Sequence, residues 1–173
     1  MSYRNLFACM PLQQAALLFA VSSGLILAPL AQAAEYDMSG RLKSVNSHML
    51  QSLSAEHTVL FASMEESAVT EDYLDTPWAG GVAGICGGVV EIKGKDMKGN
   101  GLCTFADADE DQFVVAWEAQ AMNEKGGPQG VWKITGGTGK YANAEAGGSY
   151  TDLPDAEGSD TSTVHLTGSM TIP

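Results

Sequence analysis

Phe113-Val114-Val115-Ala116-Trp117-Glu118-Ala119-Gln120-Ala121 decides the fold class. Phe113, Val115 and Trp117 fall on one side of an extended chain and Val114, Ala116 and Glu118 on the other, the period-two pattern of a β-strand. A second stretch repeats the pattern: Val164, Leu166, Met170 and Ile172 lie opposite His165, Thr167, Ser169 and Thr171. If the apolar side of that last strand packs inward, His165 faces solvent or a wall; in the inverse arrangement it lines a cavity.

Working outward, short apolar alternations separated by Gly, Asp or Asn clusters predict strands over 38–45, 57–64, 84–93, 101–106, 113–121, 130–135, 147–153 and 161–172. About eight antiparallel strands in a single domain, 34–173, with no repeat or linker, suit a closed β-barrel whose interior holds side chains or one small ligand; a β-sandwich is the runner-up. Only 44–56 is a candidate helix, and Met49-Leu50-Gln51-Ser52-Leu53 within it would suit a barrel plug or a connecting loop. Gly94 and Gly99-Asn100-Gly101 are expected to supply the turn of a hairpin between 84–93 and 101–106.

The chain has 173 residues, 45% hydrophobic and 17% charged, with 9 basic and 21 acidic residues. That balance argues against disorder and against nucleic-acid binding, which calls for clustered Lys and Arg. Residues 1–14 carry a single charge, Arg4; an apolar run over 15–30 follows and closes on Ala31-Gln32-Ala33. This reads as a secretory signal peptide over 1–33, so an exported protein, periplasmic or extracellular, is expected, with no stable membrane insertion after cleavage. Without residues 1–33 the balance becomes 8 basic against 21 acidic residues, a formal charge of -13. Cys86 and Cys103 then remain, and an even count in an exported chain makes a disulfide the first reading and two buried thiols the second. No metal and no cofactor is expected: two cysteines 17 positions apart lack histidine neighbours, and His48, His57 and His165 show no HxH or HxxxH spacing.

Two further motifs invite stronger readings. Asp107-Ala108-Asp109-Glu110-Asp111 opens like a calcium loop with Glu118 at its twelfth position, but Gln112 stands where the turn wants glycine, which favours an acidic hairpin turn. Gly136-Gly137-Thr138-Gly139-Lys140 lacks the flanking residues of a phosphate loop, because Ile134 and Tyr141 occupy the required Gly and Ser/Thr places. These glycines suit a tight connection with positive φ, with Tyr141 packing as the chain re-enters the sheet.

The stretch from Trp132 to Tyr150, with Gly136-Gly137-Thr138-Gly139-Lys140-Tyr141 at its centre, resembles the GGTGKF-x-x-A-x-G segment of plant dirigent proteins and the corresponding turn of the allene oxide cyclases. The resemblance covers about 20 residues. It implies an eight-stranded antiparallel barrel with a hydrophobic cavity. Gly84-Ile85-Cys86-Gly87-Gly88 and Gly101-Leu102-Cys103 look more like small secreted bacterial proteins of that barrel type. The motif is a structural turn in those families, so no catalytic residue is carried over.

The leading functional expectation is an exported barrel that binds a hydrophobic or aromatic small molecule inside, with Trp117, Trp132 and Tyr150 as ligand contacts and Glu118 and His165 as polar candidates. A cyclase or isomerase acting on a hydrophobic substrate within the barrel is the enzymatic alternative, with Glu118 or His165 as acid or base. An envelope interaction protein with a solid packed core is the third.

Overall fold

The computed structural model describes residues 33–173, so the signal-peptide reading of 1–33, apart from Ala33, and Cys9 lie outside the described residues. The described chain is almost entirely strand: β1 (Ala34–Asp37), β2 (Gly40–Ser54), β3 (His57–Ala68), β4 (Val82–Lys93), β5 (Asp96–Asp107), β6 (Gln112–Met122), β7 (Pro128–Gly137), β8 (Glu145–Pro154) and β9 (Thr161–Ile172). Each strand pairs antiparallel with the next from β2 to β9, and β9 returns to β2, which closes the sheet as a barrel and excludes the open sandwich. Strand β1 is the extra strand. It continues the β2 register along β9, since Asp37 pairs with Ser169 and Gly40 with Leu166.

Alternation sets the two faces. Phe113, Val115 and Trp117 point into the barrel beside Phe105 and Cys103 of β5, and Val164, Leu166 and Met170 point in from β9. The core is a single layer of inward side chains with most of its bulk at one end of the barrel. There the β3–β4 connection folds across the opening, and Tyr73, Trp78, Phe113 and Tyr141 are each at most 1% exposed. Their rings touch in series: Tyr73 to Trp78 at 5.0 Å, Trp78 to Phe113 at 5.4 Å and Phe113 to Tyr141 at 4.5 Å between centroids. Asp72 anchors the connection by accepting from Arg41 Nε at 2.6 Å and Nη2 at 2.8 Å.

The glycine-rich segment and the acidic turn meet at this sealed end. Asp107 Oδ1 accepts the backbone N–H groups of Asp109 and Asp111, while Oδ2 accepts the Tyr141 hydroxyl at 2.9 Å and lies 2.8 Å from Lys140 Nζ. Lys140 also reaches Asp109 at 2.6 Å. Gly139 sits at φ 49, and a side chain there would overlap the Asp111 carboxylate, so both conformation and space demand glycine. Tyr141, Lys140 and Gly139 therefore act as one latch on the 107–111 turn. Burial pushes the Asp107 carboxyl up, but the Lys140 ammonium and the hydrogen bonds from Tyr141 and Asp109 together outweigh it and hold the group below its ordinary value. Glu118 lies on the exposed outer face of β6, as the strand reading of 113–117 requires, and does not curl back toward this turn.

Two expectations need correction. Residues 44–56 are not helical: β2 runs to Ser54 and pairs with β3 from Leu42↔Ala68 to Ser54↔His57. The outer half of that hairpin extends past the start of β9, so Met49, Leu50 and Leu53 are exposed there instead of forming a helical stripe. Gly99, Asn100 and Gly101 are not a turn either. The reversal falls at Gly94 and Lys95, with Lys93 paired to Asp96, and Gly99–Gly101 continue β5. The reason is steric: the Trp117 indole lies against Gly88 and Gly101, and a Cβ at either position would overlap its ring.

Cys86 and Cys103 oppose each other across β4 and β5 with sulfurs 1.97 Å apart, a disulfide that staples the hairpin over a separation of 17 residues. Both side chains are buried. Among the described residues no helix is long and apolar enough to cross a membrane.

Candidate functional site

Away from the aromatic seal the barrel interior is hollow. A cavity of about 240 Å³ runs from Trp78 and Phe105 at its floor to Gly126, Pro128, Pro154 and Ser159 on the turns at the opposite end. Those turns form its mouth. Asn123 Nδ2 donates to the Asp152 carbonyl at 2.7 Å and ties the β6–β7 turn to β8. The Asn46 N–H donates to the Asp160 carbonyl at 2.6 Å and does the same for the β8–β9 loop and β2.

Glycines make room for the large side chains of the wall. Trp117 and Trp132 are cross-strand partners with Gly101 opposite the first and Gly148 opposite the second, so bulky rings face positions without side chains. At Gly88 the Trp117 indole fills the inward space, at Gly99 the Val90 side chain does, and at Gly130 the Glu118 carbonyl lies where a Cβ would stand. Trp132 is fixed by donating Nε1–H to the Ser149 carbonyl at 3.2 Å. Trp117, Trp132 and Tyr150, expected as ligand contacts, all border the cavity. Glu118 and His165 do not. Both occupy the outer face and are exposed, Glu118 because it follows inward Trp117 and His165 because it sits between inward Val164 and Leu166.

The polar wall of the cavity comes from residues the sequence reading does not single out. On β3 the inward series Leu60, Ala62, Met64 continues to Glu66, which is flanked by Ser44 on β2 and by Gly84 on β4. On β8 Asp152 follows Tyr150 by two positions and therefore shares its inward face. Both carboxyl groups line the cavity together with Asn46, His48 and Ser162. Asn46 Nδ2 donates to Ser162 Oγ at 3.1 Å, and Ser44 Oγ donates to Asn46 Oδ1 at 3.2 Å, a short polar chain along β9 and β2.

Electrostatics mark the two acids. Loss of hydration pushes the Glu66 carboxyl up to about 7, and the Asp152 charge adds to the shift. Burial also raises Asp152, with the Ser162 hydroxyl opposing and Asp155 reinforcing. Asp152 is 9% exposed, and its Oδ1 has no hydrogen-bond partner. Burial likewise raises the Tyr150 hydroxyl beside them. A carboxylate left unpartnered in an apolar enclosure is costly, and such groups concentrate where a ligand or substrate completes them.

Glu66 also lies against the disulfide, its carboxylate oxygen and the two sulfurs being within 4.8 Å of one another. This is no metal cradle, because the sulfurs are bonded to each other and neither can serve as a thiolate ligand. No family model matches the chain, and neither does any curated protein.

Proposed function

We propose that this chain is an exported barrel protein that takes a small hydrophobic or aromatic molecule into its interior, and that it belongs with the dirigent and allene oxide cyclase barrels its glycine motif resembles. One observation carries the reading: a hollow of about 240 Å³, walled by Trp117, Trp132, Tyr150, Val90 and Leu166 and open at one end. A cavity of roughly 150 Å³ accepts benzene, and pockets for drug-sized ligands begin near about 300 Å³, so the occupant is a molecule of one or two rings. The hollow speaks against an envelope interaction protein with a solid core. A second reading, an isomerase or cyclase, draws support from Glu66, because a carboxyl group near pH 7 beside an apolar cavity is suited to general acid–base work.

Tryptophan fluorescence tests the binding reading, since Trp78, Trp117 and Trp132 all border the cavity. A panel of small phenolics, indoles and short fatty acids should produce saturable quenching or a spectral shift with the one- and two-ring members. A flat response across the panel would remove the carrier reading, and turnover of a cavity-bound panel member that Glu66→Gln abolishes would favour the enzyme.

A further inference from the structure

Resting on the cavity reading above, we propose that the occupant is a cation: an arylalkylamine whose ring packs among Trp117, Trp132 and Tyr150 and whose ammonium group is received by Glu66 and Asp152. Two carboxyl groups enter one small hollow, and among the described residues lining it there is no Lys or Arg to answer them. His48 is the basic side chain on that wall, and it is exposed toward the mouth. Oδ1 of Asp152, on a residue nine-tenths buried, is an acceptor with no donor. Asn46 spends a donor on Ser162, and the Ser162 hydroxyl beside Asp152 is neutral. The indole N–H groups of Trp78 and Trp117, also without partners, are neutral as well and leave the charge unanswered.

An ammonium group corrects the charge imbalance and the orphan acceptor together, and leaves the indole N–H groups as they are. It donates to the orphan oxygen, relieves the repulsion between the two acids, and gives the Glu66 carboxylate a counter-charge in place of lost water. The rings around it are suited to a cation through their π-faces. A neutral alcohol can donate to the orphan oxygen or accept from an indole N–H but leaves the two carboxylates without a counter-charge, and an anion worsens the charge. The exterior acts in the same sense: residues after Ala33 carry a formal -13, which draws cations toward the surface and repels anions.

The test uses the disulfide-intact protein and three ligands of matched size, 2-phenylethylamine, 2-phenylethanol and phenylacetate, titrated at pH 8 and followed by calorimetry and tryptophan fluorescence. The amine should bind at least about tenfold more tightly than the alcohol, and phenylacetate should not saturate. This preference should persist in roughly 0.5 M NaCl, a condition in which attraction to the acidic exterior is screened. Asp152→Asn and Glu66→Gln should each shrink the amine-to-alcohol ratio to less than about threefold. Equal affinity of amine and alcohol, a preference that vanishes in salt, or a preference that survives both substitutions would overturn the proposal while the cavity reading stands. Silence from all three ligands would instead bring down the cavity reading itself.

Discussion

Replacing Glu66 with Gln removes a titrating group and almost nothing else, so the stability of the two proteins as a function of pH measures what the barrel does to that carboxyl. In the folded chain the group is raised to about 7 from its ordinary 4.5, by loss of water and by Asp152. The groups facing it are Asp152 and Tyr150 from β8, Tyr73 from the sealed end, Ser44 from β2 and the disulfide from β4 and β5. A raised carboxyl makes the folded state hold its proton longer than the unfolded chain does. Its contribution is therefore fully present below about pH 4.5, declines as pH rises, and is gone above about 7. At about 1.36 kcal/mol per pH unit, the full shift corresponds to about 3 kcal/mol, and because the cavity opens to solvent we expect about 1–3 kcal/mol. For a domain of this size that is a fall in Tm between pH 5 and pH 8 about 4–12 °C larger in the natural protein than in Glu66→Gln. At pH 5 the two proteins should melt within about 2 °C of each other, and at pH 8 the variant should be the more stable. Asp152 shifts in the same direction in both chains and cancels in the comparison. Asp72, Asp107 and Asp155 are lowered and lose their contribution only as pH falls below about 4, outside the window. Melting curves by circular dichroism at pH 5, 6, 7 and 8 decide it: a constant offset between the two proteins, or natural-protein stability that rises through this range, would refute the assigned environment of Glu66.

Gly101→Val should cost about 1–3 kcal/mol and perturb the near-ultraviolet dichroism of Trp117, because the new side chain meets the indole and the Gly87 carbonyl; the same change at Gly94, which meets nothing, should leave that spectrum intact. Reduction of Cys86–Cys103 should add the mass of two hydrogen atoms and lower stability by about 3 kcal/mol, the value for a loop of this length, read as a lower denaturant midpoint under reductant. Tyr141→Phe should cost about 1–2 kcal/mol by urea denaturation, since it leaves the buried Oδ2 of Asp107 with Lys140 as its remaining partner; an unchanged midpoint would show that the latch does not hold the turn.

Side-chain parity explains what is legible in the sequence and what is hidden. Trp117 and Leu166 can be placed on the inner wall because their strands alternate cleanly, and the same rule puts Glu118 and His165 on the opposite side. Tyr150 is within reach for the same reason, whereas Asp152, two residues on, is hidden because a carboxylate at a strand position reads as solvated. Glu66 is obscured by its neighbours: Met64-Glu65-Glu66 looks like a polar strand end, and only the pairing of Glu66 with Ser44 of β2 and Gly84 of β4 extends β3 far enough to turn the second glutamate inward. The length of β2 is illegible for a different reason. Met49, Leu50 and Leu53 mimic a helical stripe, and their strand state is dictated by β3, a partner that local spacing does not reveal. Likewise Gly99 and Gly101 look like turn residues until the bulk of Trp117, on the neighbouring strand, is known to need the space at Gly101.

Among the described residues, the aromatic stopper closes one end of the barrel and leaves the other as its opening. A guest taken up as proposed would enter and leave by the same passage, past the 123–127 and 155–160 loops. For the proposed guest, widening that passage would speed arrival and escape alike, shortening each stay while leaving the equilibrium almost untouched, whereas changes deep in the hollow would shift the equilibrium itself. Exchange rate and affinity would thus be governed by separate parts of the same container.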